Sequence, residues 1–116
     1  MPRDDVQLRL MTEDDIPGTF ELCRSVLFDE IAPAEERHAA ARFAARSRHL
    51  LETDPGGTWV AERDHAVAGV AMSLVREAVW GLSLFAVVAD LQGRGVGREL
   101  LDATLRHGEN RGAHGW

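Results

Sequence analysis

The segment Gln92-Gly93-Arg94-Gly95-Val96-Gly97 joins an apolar run, residues 82–88, to an amphipathic stretch that begins near Arg98. A strand, a glycine-rich turn and a helix start in that order leave few folds open. Glycine lacks a Cβ, so the backbone can take conformations closed to other residues and lets a bulky ligand approach its N–H groups. The first helical turn adds N–H groups without intrahelical acceptors, and the helix dipole adds partial positive charge at the same place. Together they make a cradle for an anion such as phosphate.

Spacing separates this turn from other phosphate-binding loops. A dinucleotide-binding turn has G-x-G-x-x-G, but after Gly93 and Gly95 the third position is Arg98. Nor does an acidic residue for the ribose stand about 20 positions on, since the sequence ends at Trp116. A nucleoside triphosphatase loop needs G-x-x-x-x-G-K-[ST], and the sequence has no lysine; all 13 basic residues are arginine.

The stretch resembles the acetyl-CoA signature of the GNAT-type N-acetyltransferase superfamily, in which a hydrophobic strand leads into [Q/R]-x-x-G-x-[G/A] and a helix. Gln92, Gly95 and Gly97 stand at the pattern positions. The flanks Leu84-Phe85-Ala86-Val87-Val88-Ala89-Asp90-Leu91 and Arg98-Glu99-Leu100-Leu101 are similar to the family's as well.

At 116 residues the chain has room for one core, and no Pro/Gly linker divides it, so residues 1–116 are expected to form a single, partial acetyltransferase-like domain. A hydrophobic content of 45% with no repeat, low-complexity tract or membrane-length run is that of a globule. The polar start Met1-Pro2-Arg3-Asp4-Asp5 does not read as a signal peptide, and one cysteine, Cys23, cannot crosslink the chain to itself. Both point to the cytoplasm. Cys23 lies among Phe20, Leu22, Val26 and Leu27 and reads as a small buried hydrophobe. A net charge of -6 argues against nucleic acid and suits a cationic amine. The five histidines show no metal-ligand spacing, and no metal is expected.

Along the chain, Val6-Gln7-Leu8-Arg9-Leu10 alternates as a strand does. Thr12-Glu13-Asp14-Asp15 offers cap oxygens before a helix in which Pro17 falls in the first turn. Ile16, Phe20, Cys23 and Leu27 form its apolar stripe. A second helix opens at Pro33-Ala34-Glu35-Glu36, with Ala39, Phe43, Ala44, Ser47, Leu50 and Leu51 as a thin apolar face, and ends before Asp54-Pro55-Gly56-Gly57. Thr58-Trp59-Val60-Ala61-Glu62 and Ala66-Val67-Ala68-Gly69-Val70-Ala71-Met72 flank Arg63-Asp64-His65 as a hairpin. A further strand covers about 80–88, and the last helix stops at Gly112.

The order β-α-α-β-β-β-α is that of the superfamily's first two-thirds. The expected fold class is therefore α/β (α+β): a GNAT-like mixed, mostly antiparallel sheet flanked by helices, stopping before the fifth strand. The resemblance implies acetyl transfer from acetyl-CoA, as co-substrate without a metal, to a small-molecule or peptide primary amine by direct attack on the thioester. It implies a pantetheine arm lying along main-chain groups of Phe85, Val87 and Val88, and a pyrophosphate on the N–H groups of Gln92, Gly93, Arg94, Gly95, Val96, Gly97 and Arg98. Arg94 and Arg98 could pair with phosphate. The fourth strand carries no acid; Glu77 before it and Asp90 after it are the nearest catalytic candidates, with a solvated edge and a brace for the turn as their plainer roles. Trp59 and Trp80 either line an acceptor pocket or, as strand aromatics more often do, fill the core. The family's leaving-group tyrosine has no counterpart, and its fifth strand would lie past Trp116. The alternative is a non-catalytic CoA-binding or interaction domain that forms a homodimer through its open sheet edge.

Overall fold

The computed structural model describes residues 5–27 and 32–113. Strand β1 is Val6–Leu10; a 3-10 turn, Glu13–Asp15, leads into helix α1, Ile16–Leu27, and helix α2 is Pro33–Thr53. Strands β2, Thr58–Arg63, β3, Ala66–Arg76, and β4, Val79–Val87, follow; a 3-10 turn, Ala89–Leu91, then leads to helix α3, Val96–Asn110. The strands form one sheet in the order β1-β2-β3-β4, each pair antiparallel. This is the expected mostly antiparallel sheet flanked by helices.

Strand side chains alternate between faces, and here both faces are covered. Val60, Val70, Met72 and Ala86 pack with Ile16, Phe20, Cys23, Phe43 and Leu50 of α1 and α2. Their neighbours Ala61, Ala71 and Val87 pack on the other face with Leu91, Val96 and Leu100 around α3. Residues of β3 from Ala68 to Ser73 are consequently buried without a break. Of the predicted α1 stripe, Ile16, Phe20 and Cys23 are buried, while Leu27 is 44% exposed. Burial pushes the Cys23 thiol up to about 11, which keeps it protonated and inert.

Both hairpin turns have two central residues at positive φ: Asp64 and His65 between β2 and β3, Glu77 and Ala78 between β3 and β4. That is the type I′ arrangement, which suits the strand twist although none of the four is glycine. The sequence reading missed the second turn, and with it the extension of β3 to Arg76.

One irregularity in β4 positions the site. The pairing runs Met72 to Leu84 and then Ser73 to Leu82, so Ser83 is an extra residue. A bulge of this kind reverses which face odd- and even-numbered residues occupy. Trp80 before it donates its indole N–H to Thr104 O of α3 at 2.9 Å, and Phe85 after it lies against Gly97 of α3. The bulge lets one strand present both residues to the same helix. Trp80 is thus a core residue beneath α3; Trp59, half-buried, donates to Gly56 O at 3.0 Å.

The far end of α3 rests on a polar cluster. Asp54, fully buried at the end of α2, accepts bonds from Val75 N–H at 2.9 Å, the Arg76 guanidinium at 2.7 Å and the Thr53 hydroxyl at 2.7 Å. His107 Nε2 lies 3.2 Å from its Oδ1, and Arg111 stands 3.8 Å away. An ionised carboxylate only accepts, so Nε2 carries the proton. Burial works to raise the Asp54 pKa, but the bonds from Arg76, Thr53, Val75 and His107 outweigh it and hold the carboxyl below the usual range.

Candidate functional site

A groove of about 610 Å³ runs around the outer edge of β4 from the end of α1 to the start of α3. It is lined by Val26 and Leu27 on one side, by Phe85, Ala86 and Val87, and by Gln92, Gly93, Gly95, Gly97 and Arg98. Most of the residues that the signature predicted are brought together here. Arg94 and Val96 belong to the same turn; Arg94 is exposed beside the groove, and Val96 is buried beneath it as an anchor of α3.

Each glycine of the turn has its own reason. Gly93 at φ 79° and Gly95 at φ 86° lie in the left-handed region, and a Cβ on either would meet nothing within 4 Å. Their requirement is conformational. Gly97 has ordinary backbone, but its Cβ would lie 3.0 Å from Cζ of Phe85. Its requirement is a close approach of helix to strand. Gly95 caps the helix, and the first main-chain bond into it is from Glu99 N–H to Gly95 O at 3.1 Å. The N–H groups of Val96, Gly97 and Arg98 therefore have no intrahelical partner.

Two expected donors are committed elsewhere. Gln92 N–H donates to Ala89 O at 3.2 Å and Arg94 N–H to Leu91 O at 3.3 Å. Among the described residues, the main-chain donors left for an anion are those of Gly93, Gly95, Val96, Gly97 and Arg98. Arg98 adds a full charge at the groove, and the helix start a partial one.

The strand edge follows from the pairing. Val88 N–H donates to Ala68 O of β3 at 2.9 Å, and Val88 O accepts from Leu91 N–H at 3.0 Å. Val88, expected on the wall, has both main-chain groups occupied inside the fold. Alternation then turns the main-chain groups of Val87 and Phe85 outward. The Gln92 side chain confirms this by donating Nε2–H to Val87 O at 2.9 Å.

Neither acidic candidate is brought to Phe85. Glu77 sits in the β3–β4 turn at the opposite end of β4. Asp90 is held by Arg63 through two bonds, at 2.8 and 3.2 Å, which ties the turn after β4 to β2. That guanidinium lowers the Asp90 pKa, so the group is a poor proton acceptor. Asp54 and His107 went unnoticed in the sequence because one stood in a helix-breaking segment and the other on a plain helix; their partnership spans 53 positions. Among the described residues no group of side chains could hold a metal ion, and no helix is long and apolar enough to cross a membrane.

A four-stranded antiparallel sheet, helices on both faces, and a glycine turn feeding a helix N-terminus at the β4 edge define an α/β fold with the geometry of an anion cradle. A model of the acetyltransferase (GNAT) family matches residues 20–116, and the chain belongs to that family. Comparison with curated protein sequences finds no match. Among solved structures, a GCN5-related N-acetyltransferase from Kribbella flavida is similar with a TM-score of 0.75 at 16% identity, over 94% of this chain and 29% of that one. Ard1 from Thermoplasma volcanium is similar with a TM-score of 0.71 at 19% identity, over 93% of this chain and 66% of that one. An N-acetyltransferase, PaiA, from Thermoplasma acidophilum, solved in complex with coenzyme A, has a TM-score of 0.70 at 9% identity, over 93% of this chain and 74% of that one. At these identities the likeness is one of fold, and the chain spans under two-thirds of the length of the first two.

Proposed function

We propose that the chain binds acetyl-CoA along the β4 edge and transfers its acetyl group to a primary amine. The observation that carries this reading is the groove itself. Its N–H donors at the start of α3 and its outward main-chain groups on Phe85 and Val87 lie at one strand edge. A volume of about 610 Å³ also falls in the range of small-molecule sites, roughly 300–1,000 Å³. The PaiA structure's coenzyme A adds support by fold analogy.

The thioester supplies an activated acetyl group. The amine nitrogen forms the new C–N bond as the C–S bond breaks, and the amine's proton leaves with the thiolate or through water. The chain's own residues bind and orient. Gly93, Gly95, Val96, Gly97 and Arg98 hold the pyrophosphate, charge-assisted bonds of this kind contributing about 1.5–3 kcal/mol each. Phe85 and Val87 align the arm, and Val26 and Leu27 cover its apolar part. A lysine-like amine is only about 0.04% neutral at pH 7, so the acceptor must lose its proton before attack. No side chain is assigned that step, because β4 carries no acid and neither Glu77 nor Asp90 reaches the groove. The single free, buried thiol suits the cytoplasm.

A second reading is favoured by the absence of an acidic side chain among the described residues that line the groove: a CoA-binding domain without turnover, whose β4 edge pairs with a second copy. Val79 and Leu82 on that strand are 50% and 41% exposed. Thiol release from acetyl-CoA over a panel of amines decides between them. Release that depends on both substrates is expected; CoA binding with no release for any amine, from a concentration-dependent dimer, would favour the second reading.

A further inference from the structure

Between buried Leu91 and buried Val96, residues 92–95 are all exposed. Packing does not hold this stretch in place: space is open around the Cβ positions of both Gly93 and Gly95. Its main-chain tethers are Gln92 N–H to Ala89 O at 3.2 Å, Arg94 N–H to Leu91 O at 3.3 Å and, at its helix end, Glu99 N–H to Gly95 O at 3.1 Å. The shortest bond made within the stretch is the Gln92 carboxamide to Val87 O, at 2.9 Å. It runs from the first loop residue to the last residue of β4, and both residues line the groove.

We propose that Gln92 is a positioning residue, whose side chain bonds the strand instead of the ligand and thereby holds residues 93–95 so that the N–H groups of Gly93 and Gly95 converge with those of α3. The proposal rests on the acetyl-CoA reading of the groove. The donor has to be neutral or cationic and long enough to reach Val87 O. Alanine has no donor, and an ionised glutamate can only accept, so it would repel both Val87 O and a phosphate. Arginine keeps an N–H at the end of a long chain. The bond also uses Val87 O, leaving Phe85 and the Val87 N–H as the edge groups for an arm.

The test compares wild type, Gln92→Ala, Gln92→Glu and Gln92→Arg. Backbone ¹⁵N relaxation of the ligand-free chain reads loop order directly, and calorimetry reads affinity for coenzyme A and for adenosine 3′-phosphate 5′-diphosphate, which keeps both pyrophosphate phosphates and lacks the arm. Order parameters of 93–95 near about 0.85 are expected in wild type, below about 0.6 with Ala or Glu, and restored with Arg. Gln92→Ala should weaken both probes by the same factor, about tenfold. Unchanged order parameters would overturn the proposal. So would a loss confined to coenzyme A, which would place Gln92 on the arm, or tighter coenzyme A binding, which would make it a plug. If wild type binds neither probe, the acetyl-CoA reading fails, and the order parameters still decide whether Gln92 holds the loop.

Discussion

Replacing Asp54 tests whether the foot of α3 is built as described. Its carboxylate serves two donors that have no water to turn to, Val75 N–H and His107 Nε2, together with the part-buried Thr53 hydroxyl and two half-exposed arginines, Arg76 and Arg111. The arginines can rehydrate, so their exposed pairing contributes little. The buried donors cannot, and removing one partner of such a network costs about 3–5 kcal/mol. Against a typical domain stability of about 5–15 kcal/mol, Asp54→Ala should unfold a large share of the chain in modest urea. Asp54→Asn keeps one accepting oxygen and should cost less, about 1–3 kcal/mol. The folded pKa lies below the ordinary 3.8, so this contribution is complete above that value and fades as pH falls toward the folded one. Urea unfolding followed by circular dichroism at pH 7 and at about pH 3 measures both effects. A destabilisation under about 1 kcal/mol for Ala, or an Asn deficit that grows on acidification, would refute the account.

Two further substitutions probe the framework. Ala78→Gly, at φ 67° in the β3–β4 turn, should stabilise the chain by roughly 1 kcal/mol in thermal melts, because left-handed backbone costs a non-glycine residue about that much. Gly108→Ala should destabilise it by about 1–3 kcal/mol despite alanine's helix propensity, since the new Cβ would lie 2.7 Å from Cδ1 of Trp80; a gain in melting temperature would show that Trp80 is not wedged there.

The sequence disclosed the strand, turn and helix around Gln92 because each carries a local signal: an apolar run, glycines, and an amphipathic period. Pro33 and the segment after Thr53 bounded α2 for the same reason. What it hid depends on partners distant along the chain. The bulge at Ser83 exists only relative to β3, and it makes Trp80 and Phe85 face one helix although one is even-numbered and the other odd. The three glycines look alike in the motif, yet two serve positive φ and Gly97 serves its contact with Phe85. Val88 reads as a continuation of β4 and a wall residue until its N–H is found on Ala68 O. Non-glycine hairpin turns such as Glu77-Ala78 carry no turn chemistry that a local reading could detect.

On the function proposed above, the anion cradle at the start of α3 receives coenzyme A. Titration of coenzyme A into ¹⁵N-labelled wild type and Gly95→Glu tests it most directly. Saturable shifts at the amides of Gly93, Gly95, Gly97, Phe85 and Val87 are predicted in wild type, with binding lost in the variant, where a strained backbone and a negative charge occupy the cradle. Equal affinity in both proteins, or shifts confined to the α1–α2 groove around Phe20, Ala40 and Ala44, would contradict it.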